Sequence, residues 1–136
     1  MRILIIDDEV AITEFFQRVA AARGFDDVEA VDSAQDAVTS VLRSNFDLIT
    51  LDVRMPEVSG LEIIAILRNM NPHAVIAIIS GFIPEDIPEE VLSCIDLLLP
   101  KPVSVETFIA LLDGAQQLAE TMEGIRRLGE PAAVLR

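Results

Sequence analysis

The sequence predicts a doubly wound α/β domain, a five-stranded parallel sheet covered by helices on both faces in three layers. Three observations predict it. Short apolar runs alternate with segments of helical period, and the alternation repeats five times along 136 residues. Several runs are apolar at every position, the mark of strands covered on both faces. The intervening segments are long enough to be the crossover helices that parallel strands require.

The first run, Ile3–Ile6, is the most apolar and is expected to be the central strand. Ile12, Phe15, Phe16 and Val19 then fall at i, i+3, i+4 and i+7, one stripe of a helix that Gly24 can stop. Val28–Val31 is a short second strand. Ser33 with Asp36 resembles a capping box, and Ala34, Ala37, Val38, Val41 and Leu42 form the next stripe. Leu48–Leu51 is the third strand, Met55–Gly60 a loop, and Leu61–Met70 the third helix, which Asn71-Pro72-His73 breaks. Val75–Ile79 is the fourth strand. Pro84 and Pro88 punctuate residues 82–95, where only Glu89–Ile95 has helical character. Leu97–Leu99 is the fifth strand. Ser104 and Glu106 open the last helix, whose stripe is Phe108, Leu111, Leu112, Ala115, Leu118 and Met122. Ile125 and Leu128 extend it, and Gly129 and Pro131 end it.

Composition excludes several classes. At 51% hydrophobic the chain is not disordered, and no apolar run approaches the roughly 20 residues of a membrane span. The apolar start at Met1–Ile6 is too short for a secretory signal and meets Asp7-Asp8-Glu9. One cysteine, Cys94, makes no internal disulfide, and no Cys/His cluster would hold zinc, which fits a reducing compartment. The net charge is −13. Residues 1–120 carry 7 basic and 21 acidic side chains, and the last stretch adds three Arg and two Glu. Such a surface repels a phosphate backbone, so no direct nucleic-acid binding is expected; it favours basic partners or divalent cations. Nine of the ten cations are Arg; the only lysine is Lys101.

The chemistry gathers at the strand ends. Asp7 and Asp8 follow the first strand, Asp52 the third, Ser80 the fourth and Lys101 the fifth. In a parallel sheet these ends share one edge, where ligands bind near the topological switch point. Taken singly each has a plain reading: Asp7-Asp8 or Asp52 as a helix cap, Lys101 as a solvated surface residue. Taken together they match what phosphoryl transfer needs. Three converging carboxylates require neutralisation, which a hard cation such as Mg²⁺ supplies. An aspartate beside that cation is a nucleophile toward phosphorus, while a lysine and a hydroxyl meet the phosphoryl oxygens.

At this point the residues resemble the receiver domain of bacterial two-component response regulators. The resemblance rests on Ile3-Leu4-Ile5-Ile6-Asp7-Asp8-Glu9, on Leu51-Asp52-Val53-Arg54-Met55-Pro56 with Gly60, on Ile78-Ile79-Ser80-Gly81 and on Leu99-Pro100-Lys101-Pro102. It covers residues 1–122; residues 123–136 then extend the last helix and form a C-terminal tail. It implies a flavodoxin-like sheet of order 2-1-3-4-5 with five helices. It implies Asp52 as phosphoacceptor, Mg²⁺ held by Asp7, Asp8, Asp52 and the main-chain carbonyl of Arg54, and Lys101 and Ser80 as phosphoryl contacts. The Lys101-Pro102 bond is expected to be cis, which aims the lysine into the pocket. A histidine kinase or phosphotransfer protein would be the donor, and a downstream protein would be met through the 82–122 face. The chain would be a cytoplasmic switch, not a turnover enzyme, working as a monomer or a phosphorylation-dependent homodimer without membrane contact.

Two positions depart from the family. Leu98 stands where receivers usually place Tyr or Phe, and the prolines shorten the fourth helix, so an unusual output surface is expected. Two alternatives belong to other classes. A pseudo-receiver would bind proteins without phosphoryl chemistry; Asp8, Asp52 and Lys101 argue against it. A Mg²⁺-dependent aspartyl phosphatase would commonly carry a second Asp two residues after the nucleophile, where this chain has Arg54. A flavin site would need a Ser/Thr/Gly-rich phosphate loop after the first strand, which is absent. His73, Cys94 and the Arg126-Arg127 pair read as a loop residue, a packed thiol and a solvated helix face. Met1 lies at the family's usual distance from Asp7-Asp8, as a native start would. Nothing after residue 122 is long enough for an output domain, so a stand-alone receiver or the receiver of a longer regulator is expected.

Overall fold

All five predicted strands form in one parallel sheet. The structure, a computed structural model, describes residues 1–55 and 59–129. In chain order the elements are β1 (Ile3–Ile6), α1 (Val10–Ala22), β2 (Val28–Val31), α2 (Ala34–Arg43), β3 (Leu48–Leu51), a 3₁₀ turn (Gly60–Ile63), α3 (Ile64–Met70), β4 (Val75–Ser80), α4 (Glu89–Leu92), β5 (Leu97–Pro100) and α5 (Val105–Leu128). The order across the sheet is β2-β1-β3-β4-β5, as expected. The expectation that β1 is central needs correction. It is an interior strand, but β3 is the middle one, and both are buried at every position. Apolarity reports two covered faces; it does not count the strands on either side.

Strand alternation divides the core. Leu4, Ile6, Ile49, Leu51, Ile76 and Ile78 face α2 and α3. Ile3, Ile5, Leu48, Ala77 and Ile79 face α1 and α5. On that second face Phe16 of α1 stacks on Phe108 of α5, ring centroids 4.2 Å apart. Full burial of Phe108 contributes about 1.5–3 kcal/mol.

The helix ends follow local chemistry. Gly24, at φ +87°, takes the left-handed conformation just past α1. Ser33 and Ser104 cap α2 and α5 by accepting from the amides of Asp36 and Thr107. Two predicted helices are shorter in the structure. The expected 61–70 helix begins as the 3₁₀ turn, because Ser59 Oγ accepts from Leu61 N and Gly60 packs against the backbone after β3. The expected 89–95 helix keeps a single turn, since the Asp96 amide bonds Ile76 and the Cys94 carbonyl is taken by Arg68. Pro56 and Val58 of the β3 loop, and Pro131 with the tail at 130–136, lie outside the described residues.

Candidate phosphoacceptor site

The backbone ladder sets the site's frame. Asp7 N bonds Val31 O, Asp52 N bonds Ile6 O and Lys101 N bonds Ser80 O, so each site residue adds a rung just past its strand. β1 and β3 are neighbours, and the first crossover leaves β1 toward β2 while the next returns to β3. Their shared end is the switch point, and Asp7 and Asp52 meet there. Behind Asp52 the chain returns at Gly60, whose amide bonds Val53 O, and only glycine fits so close to the backbone. A Cβ at that position would lie 2.7 Å from the Asp52 carbonyl oxygen and 2.9 Å from Val53 Cα. The Lys101-Pro102 peptide is cis, as expected.

All the sequence-predicted side chains converge. Asp52, 4% exposed, accepts from Ser80 Oγ at 2.6 Å and from Arg54 N at 2.9 Å on one oxygen. Its other oxygen lies 3.1 Å from Lys101 Nζ. Asp7 lies 2.7 Å from the same ammonium and accepts from Glu9 N at 2.9 Å. Phe82 N donates to Ser80 Oγ, so that hydroxyl is held from both sides. Asp8 is half-buried at the rim. Glu9 is a site residue that sequence reasoning misses. Its carboxylate reaches Lys101 Nζ at 3.1 Å, and the adjacent run Asp7-Asp8-Glu9 is the only signal for it. Arg54 lies over the Phe82 ring at 5.5 Å and, with Val53, Met55, Ser59 and Pro84, lines a groove of about 400 Å³ beside the site.

The electrostatics follow from burial and pairing. Burial pushes the Asp7 carboxyl above its usual range, against the opposing pull of Lys101 and the Glu9 amide. Burial alone would lower Lys101, yet its hydrogen bonds to Asp7 and Asp52 outweigh that and hold its ammonium above the ordinary lysine value. One ammonium thus faces the carboxylates of Asp7, Asp52 and Glu9. One oxygen each from Asp7, Asp8 and Asp52 lies within 4.8 Å of the others. This all-oxygen, strongly anionic set fits a hard divalent cation, which Mg²⁺ satisfies with few carboxylates and several waters.

Comparison with known proteins settles the family. The model described as "Response regulator receiver domain" matches residues 3–113. The chain belongs to the response regulator receiver family. This receiver domain is 32% identical over 113 residues to the response regulator MprA of Mycobacterium leprae, covering 81% of this chain and 48% of that one. The chain thus spans about half the length of that relative. A response regulator from Burkholderia pseudomallei, solved with a phosphorylated aspartic acid, calcium ion and citrate, is 26% identical with a TM-score of 0.73. The match covers 96% of this chain and 75% of that one. TrrA of Thermotoga maritima, solved in complex with Mg²⁺-BeF, is 25% identical with a TM-score of 0.70, over 86% of this chain and 97% of that one. Receiver domains are signalling switches of two-component systems. Among the described residues no helix is long and apolar enough to cross a membrane.

Proposed function

We propose that the receiver, residues 1–122, accepts a phosphoryl group on Asp52 from the phosphohistidine of a histidine kinase or phosphotransfer protein. One observation carries this reading: the buried Asp52 carboxylate lies 2.6 Å from a hydroxyl and 3.1 Å from the only lysine side chain. Asp7, Asp8, Asp52 and the Arg54 main-chain carbonyl would hold Mg²⁺. When bound, the cation neutralises the carboxylates and the oxygens of the incoming group.

The Asp52 carboxylate attacks phosphorus as the phosphorus–nitrogen bond to the donor imidazole breaks. Lys101 and Ser80 then turn from the carboxylate oxygens to the phosphoryl oxygens. Water later attacks phosphorus, returning Asp52 as carboxylate and releasing inorganic phosphate. The added charge shifts a two-state equilibrium that the 82–122 face presents to a downstream protein. In this reading the chain is a cytoplasmic switch without turnover on an external substrate, acting as a monomer or as a homodimer formed on phosphorylation, and residues 123–136 extend its last helix.

Incubation with acetyl phosphate and Mg²⁺, followed by intact mass, tests the reading. Gain of one phosphoryl group is expected in the native chain and no gain in Asp52→Ala. A native chain that stays unmodified by acetyl phosphate and by a phosphorylated kinase would be the pseudo-receiver, and the proposal would fall.

A further inference from the structure

Two features of the β4–β5 side belong together. α4 is one turn with no buried residue, reached from Ser80 through a segment carrying Pro84 and Pro88. β5 is an edge strand bonded only to β4, and Leu98 on it is 37% exposed. A strand with one neighbour and one thinly covered face opens locally at low cost. Yet β5 carries Lys101 at its carboxyl end. A loosely held segment therefore runs straight into the strand that positions the cation of the site.

Arg68, in the last turn of α3, occupies that boundary. Its Nε donates to the Cys94 carbonyl at 3.1 Å. Nη1 donates to the carbonyls of Ala74 at 2.8 Å, Pro72 at 3.2 Å and Asn71 at 3.3 Å. Nη2 reaches the Asp96 carboxylate at 2.8 Å. The same Asp96 oxygen accepts from Ile76 N at 2.8 Å, and Asp96 N donates to Ile76 O at 2.9 Å. Asp96 is thus tied to β4 through both backbone and side chain, one residue before β5 starts. A guanidinium spreads five donors over a planar fork and reaches acceptors on both sides, the two Nη1 hydrogens being shared among three carbonyls; an ammonium has three donors at a single point.

We propose that Arg68 and Asp96 form a clamp that fixes the start of β5 while residues 81–93 rearrange, so that Lys101 keeps its place between Asp7 and Asp52. Arg68 is a positioning residue acting through β5 and touches no atom of the site. The clamp is a property of the resting fold and stands independently of whether Asp52 is phosphorylated.

The test is Arg68→Met in the full chain, read by amide exchange and by the NMR signal of the Lys101 ε-methylene. That signal is unambiguous because the sequence has one lysine. Exchange at Ile76 and Asp96 is expected to quicken about tenfold, with Ile5 and Ile49 unchanged. The Lys101 signal is expected to move toward that of a solvated lysine. Arg68→Lys should fail to restore either readout. Asp96→Asn keeps an acceptor for Ile76 N but weakens the ion pair, and should move both readouts in the same direction by less. It decides the matter if the Met variant does not fold. Faster exchange shared equally by Ile5 and Ile49 would mean a general stability loss and would overturn the clamp. So would an unmoved Lys101 signal.

Discussion

The two halves of the sheet hold the site in different ways. On the β1–β3 side the strands are interior and fully buried, and the carboxylates of Asp7 and Asp52 accept from the amides of Glu9 and Arg54. Gly60 seals the backbone behind Asp52. On the β4–β5 side Ser80 is fully buried, but no residue from Gly81 to Pro100 is, α4 meets the core only through the partly buried Val91, and Lys101 comes from an edge strand. Under the proposed function this difference would be a division of labour: an acceptor and its cation ligands would need one geometry, and the groups that answer a new charge would need two.

Paired substitutions put this contrast to the test. Phe108→Ala, in the fully packed layer, should cost about 3–5 kcal/mol, while Leu92→Ala on α4 should stay within about 0.5 kcal/mol. Urea unfolding measures both, and equal costs would erase the distinction. Lys101→Met leaves the buried Asp7 and Asp52 carboxylates without their cation. A loss of about 3 kcal/mol is expected in EDTA, and added Mg²⁺ should recover more stability in this variant than in the native chain. Gly60→Ala drives a methyl into the Asp52 and Val53 backbone and should cost about 1–3 kcal/mol. Gly81→Ala meets no atom within 4 Å and should change thermal stability little, within about 0.5 kcal/mol.

The same contrast separates what is legible in the sequence from what is not. β1 and β3 are readable because a four-residue run between polar flanks, apolar throughout in β1 and interrupted only by Thr50 in β3, suits a strand covered on both faces. The residues after these strands inherit their position. α1 and α2 are readable from period and from Gly24 and Ser33. The 3₁₀ start before α3 is hidden because it follows from Gly60 packing on the β3 backbone. The early end of α4 is hidden because Arg68 and Ile76, distant in sequence, take the groups a longer helix would use. Glu9 escapes for a related reason: its partner lies 92 residues away.

The lone lysine has a practical consequence. Apart from the amino terminus of this sequence, acylating reagents find one amine, and it lies 12% exposed between two carboxylates as a firmly protonated ammonium. Dye, biotin or sensor-chip coupling through amines should therefore spare the folded side chain and mark Met1. Labelling at Lys101 becomes a gauge of how often the pocket opens, and a surface that captures the protein through that residue would block the site under assay.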